Sequence, residues 1–338
     1  MDRLYNLNAT TAVVVGDLMV DEYIMGSVTR VSPEAPIPIL NFSNRRRVPG
    51  GAANVAMNLR SLGNRVEIIG VIGDDEIGCW LKGELSGAGI GTSGIVVDSD
   101  RPTTIKTRYT TLQQSMLRLD IEDSSPVSVK ISSELANRLK CIVESMNVEL
   151  VLVSDYIKGC LGDSQHENPL RYYLSEIAKR KGVVIGADTK RVGKQLSIFN
   201  GYTFVKPNLS ELEKAIGATV ESVGGLGPAC DEYLRLTGAH NVLVTLGAQG
   251  MFHQGPDAAG PVPTVSASVY DVTGAGDTVF SVAGYGLFNG LNWSETMRLS
   301  NIAASVVVEH RGTKAITIEE LELRIAATRS IQPAYFKH

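Results

Sequence analysis

A chain of 338 residues, 43% of them hydrophobic, can bury a large core, and its length alone suggests about two domains. A net charge of −4 gives no basis for a nucleic-acid or membrane partner, and no apolar run approaches membrane-spanning length. The four cysteines form no C-x-x-C pair and the five histidines lack metal-ligand spacing, so a reducing cytoplasm fits better than a disulfide framework or zinc site.

The first residues, Met1 to Asn6, lack the basic and apolar regions of a secretion signal. Val13-Val14-Val15-Gly16-Asp17 reads as a buried parallel strand ending in a turn. Asp17 and Asp21 follow its carboxyl end, where ligands bind in open α/β sheets, although turn and capping aspartates read the same way. Ser32 to Leu40, with three prolines among apolar residues, favours an extended edge strand. Arg45-Arg46-Arg47 is a short basic run read as a solvated face. Pro49-Gly50-Gly51 then turns into a helix with Val55, Leu59 and Leu62 on one side. Gly50 and Gly51 permit close approach to the backbone, and Asn54 offers a donor and an acceptor to hydroxyls.

Arg65 to Val71 is the next strand, followed by a helix from Asp75 to Ala88. Thr103 to Thr111 and Ser115 to Ile121 form a β-like pair around Leu112-Gln113-Gln114, outside the βαβ rhythm. Segments 22–46 and 95–122 are expected to form a small β-sheet lid on a single α/β domain spanning 1–338. The open face of such a sheet suits a second subunit. Leu135, Leu139 and Val143 stripe a further helix. Strand Glu149 to Ser154, helix Pro169 to Lys181 and strand Val183 to Ala187 continue the alternation that marks a doubly wound, mainly parallel sheet. Asp188 and Lys190 lie at the last strand's carboxyl end. Thr203 to Glu211 reads strand, turn, helix, with Asn208 and Glu211 at capping-box spacing. Val242 to Thr245 is a strand, and Leu246 to Gly250 a glycine turn.

Tyr270 to Val279 is the most informative stretch. It joins a β-rich run, Val262 to Val269, to a helix with Val279, Val282, Ala283 and Leu287 on one face. Gly274 and Gly276 flank Ala275 where the helix begins, leaving N–H groups and the positive end of the helix dipole for an anion. Asp277 sits in the first turn. A carboxylate beside a bound phosphate can take a proton from an attacking hydroxyl, which makes Asp277 the general base of a kinase. The amides of Gly274, Ala275 and Gly276 would steady charge on the moving phosphoryl group. A plain helix cap is the competing reading. Trp293 to Glu309 forms another helix. No P-loop, no strand-linked G-x-G-x-x-G, no G-x-S-x-G and no repeat is present.

The Asp271 to Asp277 signature resembles that of the ribokinase (PfkB) family of sugar and nucleoside kinases. Gly16-Asp17, Gly50-Gly51 with Asn54, the Asn208 to Glu211 spacing and Thr245 to Gly250 keep the family's order along the chain. Gly16 to Asp21, Arg30 to Pro36, Pro49 to Leu59, Pro102 to Arg108 and Ser154 to Gly159 are closer still to the kinase half of bacterial heptose kinase/adenylyltransferases. That resemblance implies a ribokinase-like fold and ATP-dependent phosphorylation of D-glycero-β-D-manno-heptose 7-phosphate at the anomeric O1, a step toward ADP-heptose and lipopolysaccharide core. It implies a stand-alone kinase that ends before any adenylyltransferase half, and a cytoplasmic homodimer joined through the lid. Asp17, Asp21, Gly50, Gly51 and Asn54 would hold sugar hydroxyls, while Lys106, Arg108, Lys158 and Lys190 are candidates for a substrate phosphate. Asn208, Glu211, Thr245, Gly247, Gly250 and Asn301 would hold the nucleotide, with Mg²⁺ bound to Glu211 through water. A monovalent cation such as K⁺ belongs near Asp271 and Thr273. Three departures stand out: Asp188-Thr189-Lys190 where D-P-K is usual, Glu22 where a basic residue is common, and the Leu246-Gly247-Ala248 turn. A fructose or ribose kinase and a non-catalytic sugar- or nucleotide-binding regulator are the alternatives.

Overall fold

Runs that are apolar at every position, such as Val13 to Val15 and Leu150 to Val153, become strands buried on both faces. The structure, a computed structural model, describes residues 7–331 apart from 112–113, 164–165, 257, 266–267 and 311. Its first half runs β1 (Thr11–Gly16), β2 (Leu18–Val31), β3 (Pro38–Gly51), α1 (Ala52–Ser61), β4 (Arg65–Gly73), α2 (Glu76–Gly87), β5 (Gly91–Asp98), β6 (Thr104–Thr110), β7 (Ser115–Ile121) and α3 (Val129–Ser145). There follow β8 (Leu150–Asp155), α4 (Pro169–Ala178), β9 (Val184–Thr189), β10 (Phe204–Val205), α5 (Leu209–Ile216), α6 (Leu226–Thr237) and β11 (Val242–Thr245). The last elements are β12 (Met251–Gln254), β13 (Ala259–Val262), α7 (Ala275–Phe288), α8 (Trp293–Val307) and α9 (Ile318–Ile331).

Nine strands form one sheet in the order β13-β12-β11-β10-β9-β8-β1-β4-β5, parallel from β11 to β5 and antiparallel at the β12 and β13 edge. The chain leaves β1 toward β4 and β5, then returns to β8 on the other side. That reversal opens a crevice beyond the carboxyl ends of β1 and β8, the place where doubly wound sheets bind ligands. Leu59, Phe280 and Ile302 pack on one face of the sheet, and Leu139, Leu174 and Tyr233 on the other. Burying a side chain such as Phe280 stabilises the fold by roughly 1.5–3 kcal/mol.

The second sheet has four strands in the order β3-β2-β6-β7. It differs from the expected lid in two respects. Residues 95–98 belong to β5 in the large sheet, because Ile95 and Val96 fill the main core. Ser32 to Ile37 is a turn closed by Ser32 N–H donating to Ile37 O at 2.8 Å, with β3 starting only at Pro38. The prolines therefore shape the hairpin, and β3 is the edge strand. Of the β-rich run expected over Val262 to Val269 only Val262, the last residue of β13, is strand, and residues 266–267, like Met1 to Asn6 and Leu112 and Gln113, lie outside the described residues.

Candidate active site

α1 and α7 pack closely, and their polar ties set the geometry between them. Thr278 Oγ1 donates to Asn58 Oδ1 at 3.1 Å, and Ser281 Oγ donates to Val55 O at 3.2 Å. Next to these ties, Asn54 Nδ2 donates to Asp277 Oδ2 at 2.7 Å. The other carboxylate oxygen, Oδ1, accepts from the Tyr156 hydroxyl at 3.2 Å. Tyr156 comes from the turn after β8, so the ends of three elements meet at one carboxylate.

Asp277 is only 7% exposed. Burial pushes its carboxyl up to about 6; Asp188 adds to the rise, while Asn54, Lys206 and Tyr156 oppose it. The group is thus ionised at neutral pH yet basic enough to accept a proton. The Asp277 charge and burial push the Tyr156 hydroxyl well above its ordinary value, which keeps it a donor.

Gly274 caps α7 with φ 80°, and a Cβ there would lie 2.9 Å from Thr313 Cγ2 and 3.1 Å from Asn54 Nδ2. Only glycine fits that conformation and that space. Of the three amides expected to face an anion, Ala275 N–H instead donates to Val272 O at 3.2 Å. The N–H groups of Gly276 and Asp277 make no hydrogen bond among the described residues. Lys206 Nζ lies 3.7 Å from where a Cβ of Gly276 would stand. That lysine is 3% exposed and pairs with Asp188 Oδ2 at 3.0 Å.

A cavity of about 490 Å³ runs from Gly276 and Ala275 past Thr245, Gly247 and Gly250 to Asn301. Thr245, Gly247, Gly250 and Asn301, the sequence candidates for a nucleotide, therefore line one space that opens on the start of α7. The Asn301 amide donates to Pro263 O at 3.1 Å and holds the chain after β13 against the cavity. Asn208 and Glu211 form the capping box of α5: Asn208 Oδ1 accepts from Glu211 N–H at 2.9 Å, and Glu211 Oε2 accepts from Asn208 N–H at 2.8 Å. Glu211 Oε1 also meets Lys190 Nζ. Among the described residues no group of three or more His, Cys, Asp or Glu could hold a metal by itself. A lone carboxylate fits Mg²⁺, which retains waters and takes further oxygens from phosphates. Asp271 clasps its own loop, accepting from Thr273 N–H at 2.9 Å, Thr273 Oγ1 at 2.7 Å and Gly312 N–H at 2.9 Å.

Asp21, Lys106 and Asp120 stand in register across β2, β6 and β7, making one face of the small sheet a row of alternating charge. A Cβ on Gly50 would lie 2.5 Å from Asp21 Oδ2, so glycine lets this aspartate sit against β3. The four expected phosphate cations do not converge on one group. Arg108 Nη1 meets Asp21 Oδ1 at 2.5 Å, Lys190 meets Glu211, and Lys106 and Lys158 share Glu122 at 2.9 and 2.7 Å. Asp17, expected among the sugar-binding groups, has both oxygens occupied by main-chain N–H groups of Tyr156, Lys158 and Cys160 at 2.8, 3.0 and 3.2 Å. It is 3% exposed.

Two departures from the family pattern have a visible use. Thr189, where proline is usual, donates its hydroxyl to Asp155 Oδ2 at 2.7 Å. Glu22 accepts from Arg47 Nε at 2.8 Å and Thr107 Oγ1 at 3.0 Å, which ties three strands of the small sheet and takes Arg47 out of a purely solvated role. Sequence reasoning missed Tyr156, Lys206 and Glu122. The first two follow the carboxyl ends of β8 and β10, a positional signal that was available. Glu122 carried no such signal.

The family described as pfkB family carbohydrate kinase matches residues 9–320. The "Bifunctional protein HldE" of Trichlorobacter lovleyi is 38% identical over 309 residues, covering 91% of this chain and 61% of that protein. The chain thus spans about three fifths of the length of such curated relatives. Among solved structures, Escherichia coli phosphofructokinase-2 in complex with substrates and products aligns with TM-score 0.76 at 18% identity, over 94% of this chain and 99% of that one. Arabidopsis thaliana ribokinase complexed with ribose and ATP aligns with TM-score 0.71 at 19% identity, over 94% of this chain and 99% of that one. At those identities the two structures show a shared fold.

Proposed function

Since the chain belongs to the pfkB family of carbohydrate kinases, we propose that it transfers the γ-phosphoryl group of ATP to O1 of D-glycero-β-D-manno-heptose 7-phosphate, giving the 1,7-bisphosphate. The observation that carries the reading is Asp277: a buried, ionised carboxylate in the first turn of α7, next to the Ala275 and Gly276 end of a nucleotide-sized cavity and bonded to Asn54 at the start of α1. In the step, Asp277 takes the O1 proton as the O1–phosphorus bond forms and the bond from phosphorus to the ADP oxygen breaks. The Gly276 and Asp277 N–H groups, the start of the α7 dipole and Lys206 supply positive potential where charge gathers on the phosphoryl oxygens. Asn54 and Tyr156 hold the Asp277 carboxylate in place.

Glu211 would hold Mg²⁺ through water beside the nucleotide phosphates, where the ion supplies charge neutralisation. A monovalent cation such as K⁺ near the Asp271 and Thr273 loop is a finer part of the same proposal. Asp21, Gly50, Gly51 and Asn54 would hold the sugar, and Lys106 with Lys158, which both reach Glu122, would take the distal phosphate. Leu117, Leu119 and Ile121 are 61%, 46% and 48% exposed on one strand of the small sheet, which supports a homodimer formed through that lid. A cytoplasmic location is a further part of the proposal; none of the described helices is long and apolar enough to cross a membrane.

The test incubates the chain with ATP, Mg²⁺ and a panel of sugars, following ³¹P resonances. The proposal requires a bisphosphate from the heptose 7-phosphate and much slower transfer to unphosphorylated ribose or fructose. Equal rates on all three would remove the case for a substrate phosphate. No transfer to any sugar would favour a binding protein instead.

A further inference from the structure

The turn from Tyr156 to Gly162 follows β8 into the crevice and carries the hydroxyl that touches Asp277. Its backbone is not one that the sequence would adopt unaided. Ile157 has φ 58°, the only positive φ at a non-glycine among the described residues. A β-branched side chain disfavours that region, so neighbouring structure must impose it. Two carboxylates do so. Asp155 accepts from Ile157 N–H at 3.4 Å and is itself fixed by Arg191 and Thr189. Asp17 accepts from alternate N–H groups, those of Tyr156, Lys158 and Cys160.

Asp17 reaches the turn because β1 and β8 are adjacent and in register. Gly16 pairs with Ser154, and Asp17 N–H donates to Ser154 O at 3.0 Å. Its carboxylate therefore hangs off the end of β1 directly beneath the first residues after β8. Such convergence of N–H groups on one buried carboxylate fixes a segment more tightly than a single bond. An isolated structural charge would gain little here, since Asp17 lies beside a second buried carboxylate, Asp155.

We infer that Asp17 is a positioning residue that clamps the Tyr156–Cys160 turn and thereby holds the Tyr156 hydroxyl on Asp277. The inference rests on the reading of Asp277 as the base, and it gives the Gly16-Asp17 pair a role other than contact with sugar.

The sign of one shift separates this role from a direct electrostatic one. The groups facing Asp277 are Asn54 from α1, Tyr156 after β8, Asp188 at the end of β9, Lys190 just after it, whose ammonium also lies 5.2 Å from the Tyr156 ring centre, and Lys206 after β10. Removing a nearby negative charge at position 17 would by itself favour ionised Asp277 and lower its midpoint. Releasing the Tyr156 donor does the opposite. The experiment titrates the ¹³C carboxyl resonance of Asp277, assigned through Asp277→Asn, in the wild type, Asp17→Asn, Tyr156→Phe and the double variant. The expected result is a rise of roughly one pH unit for Tyr156→Phe and a rise of the same sign for Asp17→Asn. In the Tyr156→Phe background, Asp17→Asn should add no further rise. An unchanged or lowered midpoint in folded Asp17→Asn overturns the inference, as does a rise that persists without the Tyr156 hydroxyl. Should Asp17→Asn not fold, Asp17→Glu, which keeps the charge but moves the carboxylate by one methylene, is measured against the same expectation. The titration needs no substrate. A chain that phosphorylates no sugar but shows these shifts retains the clamp and loses only the kinase reading.

Discussion

The Asn54 amide donates to Asp277 Oδ2 at 2.7 Å across 223 residues of sequence. A donor aimed at the ionised form lowers a carboxyl's midpoint, and here it opposes the larger effect of burial. Asn54→Ala should therefore push Asp277 above its present value of about 6, by roughly one pH unit. Turnover that depends on ionised Asp277 should rise through pH 6 in the wild type and through a higher pH in the variant. A pH–rate profile of kcat checks this; superimposable acid limbs would separate Asn54 from the base.

Asp277→Asn removes the proton acceptor and keeps the shape. Turnover should fall by roughly 10²–10⁴-fold. Stability should move the other way. The folded midpoint of about 6 lies above the reference value of 3.8, so the folded state binds more protons than the unfolded chain between those values. Stability is lost as pH rises through that window, and the charged form is the destabilising one at neutral pH. The Asn variant should lose that pH dependence and melt no lower than the wild type at pH 7–8. Loss of both fold and activity would return Asp277 to a structural role.

The fold was legible because its signals are periodic. Apolar runs marked strands such as β1 and β8, and amphipathic stretches marked α3 and α4. The Gly274 to Asp277 string stood out by the whole stretch around it, with Asp271, Thr273 and an apolar helix following, since glycine and aspartate at a helix start alone read equally as a cap. Charge pairing was not legible. Lys106, Lys158 and Glu122 meet only because β6, the segment after β7 and the turn after β8 converge, and no local pattern encodes that meeting. The Asp17 clamp was invisible for the same reason: its partners are backbone N–H groups, which every residue but proline supplies. Pro33 and Pro36 were read as part of an extended edge strand, whereas pairing of β2 with β3 puts them in the hairpin turn.

Arg191 and Asp155 form an ion pair at 2.6 Å with both side chains 1% exposed, and Arg191 also donates to Gly162 O at 2.6 Å. Removing one member leaves a buried, unpaired charge. Arg191→Met should cost roughly 3–5 kcal/mol. Urea unfolding followed by circular dichroism measures it. A loss below about 1 kcal/mol, the scale of a surface pair, would mean that water reaches Asp155.

Glu122 sits between Lys106 and Lys158, whose ammonium groups reach its two oxygens at 2.9 and 2.7 Å. A pair of lysines holding one carboxylate also makes a site for a phosphate dianion, and the two anions exclude each other. Glu122 is 24% exposed as a side chain, so it can swing aside, and the pair contributes about 1 kcal/mol or less. Glu122→Gln removes the competing charge shared by both lysines and leaves Asp120, 3.2 Å from Lys106. KM for the sugar phosphate should fall by up to roughly fivefold, with kcat little changed. Lys158→Met should raise the same KM. Neither change should alter KM for an unphosphorylated sugar, because that substrate brings no anion to the pair. Parallel changes for both kinds of sugar would place the substrate phosphate elsewhere.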